Sequence, residues 1–448
     1  MRYSSILVLV VGSVAGWVIH SPEVRAEPNR QVPADTVSAG QPQKAAPVSI
    51  ASTLKGEVVS SRSYWSGGRI VTESVVRNRG GGDVTVSQMG GTVDGIGMVQ
   101  FPGQPVLAPG DIAELTVAAS RSGLTEKRAS ALARPVLQVL ALNRANPGPA
   151  AKNLSLPGDE TPPLDFVRTT NDNGAPLRWS SGCVFLTLDS AGTSQIAGDN
   201  EFAIIDDVFS TWQDSFDSCS YFEFRLEGKK SGEVGFDGTN IIKFRDRRWC
   251  RPATDEDQEQ CYSRDAAALT TLHFVNDAES DRNGEILDAD IEINGVHFAV
   301  SANGSSGGNA NCLADLANTL THEVGHLMGL DHTCRAPAEP FRLDHKGNPV
   351  PSCSQSNALT PAIRDATMFN FQECGETKKT SPAADDIDGI CTIYPQASDP
   401  GDCKKAALSK SGGCSVAPPG DPSAGGWWAF WQLAAIFAAA FLLRRRRA

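Results

Sequence analysis

Several things are scarce in this chain, and each scarcity narrows what it can be. No cysteine precedes Cys183 in the 448 residues, so the N-terminal part has neither a disulfide nor a thiolate ligand to offer. Positive charge is in deficit: 40 Lys and Arg against 52 Asp and Glu leave a net charge of −12, and the only dense basic run is Arg444 to Arg447 at the C-terminus. Binding of nucleic acid through its phosphates needs a basic stripe on the folded surface, which this composition excludes. There is no internal repeat, so a repeat architecture is excluded too. Histidine is rare, seven in all, yet three of the seven fall between His322 and His332.

The composition that remains describes a globular protein, 40% hydrophobic and 21% charged, and 448 residues suffice for more than one domain. Residues 1–26 have the three parts of a secretory signal: Arg2, an apolar run from Ile6 to Ile19, and the small-residue site Val24-Arg25-Ala26. Export predicts that the cysteines pair, with Cys250 and Cys261 the first expected bridge and Cys183 and Cys219 the second. At the other end, Trp427 to Leu443 is apolar except for Gln432 and is followed by four arginines, the pattern of a membrane segment with its basic end inside. The Gly412-Gly413-Cys414-Ser415 tract, the spacer, the apolar run and the arginines together resemble C-terminal sorting signals of the myxobacterial type. That resemblance implies processing near Cys414 and leaves ten cysteines to pair.

Between these ends, residues 27–54 read as a flexible leader rich in Pro, Ala and Gln. Residues 55–145 alternate short Val/Ile/Thr runs with Gly-rich turns, which predicts a small all-β domain acting as a propeptide or targeting module. Prolines and absent periodicity mark 146–177 as a linker. From 178 to 396 the expected order is a strand (Val184 to Leu188), a helix with Phe202, Ile205, Phe209 and Trp212 on one stripe and Asp199 or Asn200 as its cap, several strands, and an apolar helix from about Leu313 to Met328. This is an α+β domain with a twisted mixed sheet. Residues 397–426 are a second linker, and 427–448 hold the membrane segment and arginine cluster.

The chemistry sits in Thr321 to His332, reading THEVGHLMGLDH. His322 and His326 are four apart, so on a helix both imidazoles lie on one face and can chelate one ion. Gly329 allows the left-handed turn that ends the helix and lets His332 swing back as third ligand. Three protein ligands leave a fourth tetrahedral position for water, the catalytic rather than the structural arrangement of zinc. Glu323, beside a ligand, is placed to act as general base. The oxygen-rich loop of Asp277, Asp281, Asn283 and Glu285, with Asp288 nearby, offers ligands enough for calcium.

These residues, HExxHxxGxxH, resemble the signature of the metzincin metallopeptidases, and Met368 in Ala366-Thr367-Met368-Phe369 stands where the methionine turn of that clan would be. Within it the likeness is to the matrixins: Ser381 to Ile390 with Tyr394 is similar to their C-terminal helix, and Gly284 to Asn294 to their substrate-side edge strand, extended here as Asp290 to Val300. The resemblance covers roughly Arg178 to Pro395. It implies an active-site helix, one catalytic zinc held by His322, His326 and His332, Glu323 as catalytic residue, and an endopeptidase acting on extended protein or peptide segments. It also implies pairing of Asp385 and Asp386 with a mature N-terminal ammonium; of the family's structural-zinc ligands only His273 and His297 have counterparts here, and these read better as ordinary sheet histidines. The chain departs from the pattern in the 35 residues between His332 and Met368, and in lacking a propeptide cysteine. The expected protein is therefore an exported, surface-anchored or released zinc endopeptidase. The alternative is a surface adhesion or binding protein that retains a zinc-protease fold with weak catalysis.

Overall fold

The computed structural model describes residues 51–118, 133–145, 165–254, 259–302, 304, 312–336, 338–355 and 359–408. The signal region, the leader as far as residue 50, the Cys414 tract and the apolar run of 427–443 lie outside them. Among the described residues no helix is long and apolar enough to cross a membrane. The fold is mixed α+β, rich in sheet and with few helices.

Seven strands come first: β1 (Ser52–Ser66), β2 (Arg69–Asn78), β3 (Asp83–Met89), β4 (Gly91–Val93), β5 (Ile96–Phe101), β6 (Ile112–Val117) and β7 (Arg134–Asn143). Five close a barrel in the order β1-β2-β3-β7-β6. Alternation drives this along β1 and β6, since Leu54, Val58, Leu115 and Val117 turn inward with Val76 and Val86 to one apolar core, while the residues alternating with them on β1 are exposed and those on β6 half-buried. β4 and β5 leave the barrel and join a different sheet.

That sheet is built from β9 (Cys183–Asp189), β10 (Glu223–Lys230), β11 (Asn240–Arg245), β14 (Ala268–Val275) and β15 (Ile286–Asn294), after the short β8 (Val167–Arg168) and the small pair β12 (Cys250–Arg251) and β13 (Gln260–Cys261). Its order is β10-β9-β11-β15-β14-β5-β4, parallel from β10 to β15 and antiparallel from there to β4. Helix α1 (Asn200–Phe216) buries Ile205, Val208, Phe209, Trp212 and Phe216. Asp199 precedes it in a left-handed conformation and makes no side-chain cap, so the capping expected of it is absent. After β16 (Phe298–Ser301) and β17 (Cys312–Asp315) comes α2 (Leu316–Leu327), then β18 (Leu330–Asp331), α3 (Pro361–Asp365) and α4 (Ala384–Ile393). Leu316, Leu320, Val324 and Leu327 of α2 pack with α1 and the sheet in one core, and the Trp212 indole donates to the Thr321 carbonyl at 3.1 Å.

The expected edge strand is corrected by this topology. Ile286–Asn294 is a central strand, between β11 and β14, and all nine of its residues are buried. Its sequence, ILDADIEIN, alternates acid with apolar and so mimics a strand with one wet face. The acids are buried because partners cover them: Asp288 and Asp290 accept backbone N–H groups from Gly238, Gly235 and Ile241, and Glu292 pairs with Arg69 at 2.9 Å and Arg245 at 2.7 Å. Burial alone would raise the Glu292 carboxyl, yet the two guanidiniums hold it below the usual range.

Ten cysteines form five disulfides: Cys183–Cys403, Cys219–Cys391, Cys250–Cys261, Cys312–Cys374 and Cys334–Cys353. The expected Cys250–Cys261 bridge is present, across β12 and β13. The expected Cys183–Cys219 bridge is not, because Cys219 follows α1 at the point where α4 supplies Cys391, while Cys183 opens β9 beside the returning C-terminal segment.

The Arg69–Glu292 pair joins the barrel to the sheet with side chains 2% and 1% exposed. Breaking one partner of a buried pair leaves a charge uncompensated and costs about 3–5 kcal/mol. Arg69→Met is therefore expected to lower the unfolding free energy by about 3 kcal/mol in urea titration, somewhat less if Arg245 takes up the load. A change below about 0.5 kcal/mol, the scale of ordinary surface substitutions, would contradict this role.

Candidate metal centre

Helix α2 begins where Asp315, in extended conformation, accepts the Asn318 N–H at 2.9 Å. Its apolar stripe fixes its rotation on the core and leaves His322, Glu323 and His326 turned to one end of β14. It stops at Gly329, whose φ of +95° suits glycine, and where a Cβ would stand 2.6 Å from the Leu177 carbonyl oxygen. Two further groups satisfy the last carbonyls of the helix: the Trp179 indole donates to Leu327 and the Tyr394 hydroxyl to Met328, each at 2.9 Å. The chain then reverses into β18, which pairs with β8, and delivers His332 opposite the helix. Phe166, Val167 and Leu177, at the end of the expected linker, are buried around this reversal.

The three imidazoles converge. His332 Nε2 lies 3.3 Å from His322 Nε2 and 3.1 Å from His326 Nε2. The opposite nitrogens of the helical pair are committed elsewhere: His322 Nδ1 donates to the Thr367 carbonyl at 2.7 Å and His326 Nδ1 to the Leu330 carbonyl at 2.9 Å. A carbonyl accepts only, so these bonds place the proton on Nδ1 and turn the Nε2 lone pair inward. Burial pushes the His322 imidazole down to about 4, and burial with mutual repulsion holds His326 and His332 well below the ordinary range, so all three are neutral at pH 7. Lone pairs face one another at separations close to the roughly 3.3–3.4 Å edge of a tetrahedron with bonds of about 2.0–2.1 Å. The donor set can hold a metal ion, and among the described residues no fourth His, Cys, Asp or Glu belongs to the group.

Glu323 is 4% exposed, burial raises its carboxyl to about 8, and the Thr270 hydroxyl on β14 donates to it at 2.6 Å. Met368 lies beneath the helix: a Cβ on Gly325 would meet its sulfur at 2.2 Å, and its carbonyl accepts the Thr333 N–H at 3.0 Å. The insertion between His332 and Met368 folds back on itself through Cys334–Cys353, and its Arg342 pairs with Asp331 at 3.2 Å, bracing the residue next to His332. Cys312–Cys374 ties the strand before α2 to the segment after Met368. His345, in the insertion, is exposed with its ring stacked on Phe166. Asp386 accepts the Thr367 N–H at 3.1 Å, which fixes the backbone that holds His322.

Two further ligand sets that the sequence offered do not form a metal-competent group among the described residues. His273 is wholly buried in β14 beside Asp288, while His297 is partly exposed just after β15, and the two belong to no common group. In the acidic loop Glu285 is taken by Arg282 and Ser180, and Asp288 by backbone N–H groups. Two residues that sequence reasoning missed border the site. Thr270 holds Glu323, and Phe101 of β5 lies flat on His326, ring centroids 4.2 Å apart and planes 12° from parallel. Neither carries a local motif; strand pairing alone brings them there.

Metal content after equilibrium dialysis is expected to hold at one ion per chain from pH 8 to about 6 and to fall steeply toward pH 4, since protons compete only where the depressed imidazoles begin to charge. Loss of the ion already at pH 7 would contradict the geometry. His326→Ala should weaken binding beyond the roughly 10–100-fold that loss of an outer partner costs.

Compared with known proteins, the chain matches no family model and no curated protein. What it has in hand is a three-histidine group competent to bind a metal ion, two of its members buried and His322 partly exposed, with a protonatable carboxylate on the same helix.

Proposed function

We propose that the chain is a zinc-dependent endopeptidase, with His322, His326 and His332 as metal ligands, Glu323 as general base and Met368 as the floor of the site. The observation that carries this reading is the three-ligand group with its Nε2 atoms turned inward and no fourth protein ligand in it among the described residues, since a structural zinc site closes its shell with four. A zinc ion bound there would polarise the scissile carbonyl and lower the pKa of an attacking water. Glu323 would take the proton from that water and deliver it to the leaving amine. The Thr270 hydroxyl keeps the carboxyl group oriented, and a bound cation would favour its ionised form against the burial that raises it. Five disulfides support an oxidising compartment and so the exported, surface-associated location expected from the two termini.

Glu323→Ala is expected to keep one ion per chain and to cut an unstructured protein about 10²–10⁴ times more slowly than the unaltered chain. Equal rates for the two proteins, with metal present in both, would overturn the proposal and favour the reading as a binding protein. Excess chelator should abolish hydrolysis, and added zinc should restore it.

A further inference from the structure

The barrel region sends one strand out of its own sheet and into the other. β5 pairs antiparallel with β14 through six residues, from Val275 opposite Ile96 to Thr270 opposite Phe101. The outer side of β5 carries only the three-residue β4. β14 would otherwise be the last strand of the five formed by residues 183–294, with a row of unpaired N–H and C=O groups along the metal centre. Such an edge is what an extended peptide adds to by main-chain hydrogen bonds.

Pairing runs up to the chemistry and stops there. Thr270, the last β14 residue in register, is the one that holds Glu323, and its partner Phe101 is the residue stacked on His326 and set edge-on to His332 at 6.2 Å. Pro102 follows, with no N–H to continue the ladder. The remainder of β5 is anchored between the barrel strands and the sheet: Ile96 and Met98 pack with Ile70 of β2 on one side and Val275 and Leu287 on the other, and Gln100 donates to the Thr271 hydroxyl at 3.1 Å. Phe101 itself is 6% exposed and belongs to the core that contains the α2 stripe.

We infer that Ile96–Phe101 is an intramolecular ligand of the β14 edge: it occupies the track an extended peptide substrate would take, with Phe101 capping the three-histidine centre, and so keeps the intact chain latent. This rests on the endopeptidase reading for what is being inhibited, and it supplies an inhibitory element where no N-terminal cysteine exists to do so. It also names the substrate class that must compete: an unfolded segment able to add as a strand and to place a bulky apolar side chain against His326.

The test reads access to the metal directly, apart from turnover. The full-length chain is loaded with cobalt(II), and the rate at which a small hydroxamate changes its visible absorption is followed in three proteins: wild type, Phe101→Ala, and a Gln100→Cys/Thr271→Cys pair that tethers β5 to its register partner. Phe101→Ala should take up hydroxamate at least tenfold faster than wild type, and the oxidised tether at least tenfold slower. Should Phe101→Ala lose its ion, the tethered pair alone decides. Equal uptake by all the proteins that retain cobalt overturns the inference. Hydrolysis of an unstructured protein separates the two ideas. Faster access in Phe101→Ala without any cutting leaves the occupied edge standing and sinks the endopeptidase reading. Cutting that depends on Glu323, with access unchanged by either alteration, does the reverse.

Discussion

Three neutral imidazoles whose Nε2 atoms converge, His332 standing 3.3 Å from His322 and 3.1 Å from His326, form an arrangement that a cation stabilises and that the rest of the molecule is organised to impose. Each of the other features acts on it at one remove. The carbonyls of Thr367 and Leu330 set the tautomers, Asp386 holds Thr367, and Arg342 holds Asp331 next to the third histidine. Close contact between Gly325 and Met368 lets the loop after the insertion lie directly beneath the helix, where any side chain at 325 would push it away. Disulfides at Cys312–Cys374 and Cys334–Cys353 close the loops on either side of this contact, restricting the chain where secondary structure is sparse.

The sheet serves the same centre from the other side. β14 brings Thr270 to Glu323, and the buried acids of the neighbouring β15 are neutralised by donors from the turn before β11 and by Arg69 from the barrel. A polar strand in the middle of a sheet is costly unless each charge is met, and here the barrel provides one of the partners. Barrel and sheet are thus linked by an ion pair and by apolar packing of Ile70 on Val275 and Leu287, and also by the strand β5, which ends on the histidines.

Local features of the centre were legible in the sequence because they depend on helical periodicity and one glycine. The spacing of His322 and His326, the reversal at Gly329 and the return of His332 follow from 3.6 residues per turn and a left-handed φ. Met368 was reachable only through the resemblance, since 35 residues separate it from His332. Non-local facts were not legible. Thr270 and Phe101 meet the site through strand order, which no short window encodes, and the edge position expected for Ile286–Asn294 fails because its acids are covered by distant partners, Glu292 by Arg69 more than two hundred residues earlier and Asp288 and Asp290 by backbone N–H groups before and at the start of β11. Cysteine pairing divided along the same line: Cys250 and Cys261 were found from their proximity in sequence, whereas Cys183 and Cys219 found partners far along the chain.

X-ray absorption at the zinc edge, on the metal-loaded protein with β5 displaced, tests the central claim most directly. The account predicts three imidazole nitrogens at about 2.0–2.1 Å and a single oxygen completing a four-coordinate shell. A shell of four protein ligands, or a sulfur in it, would contradict that claim.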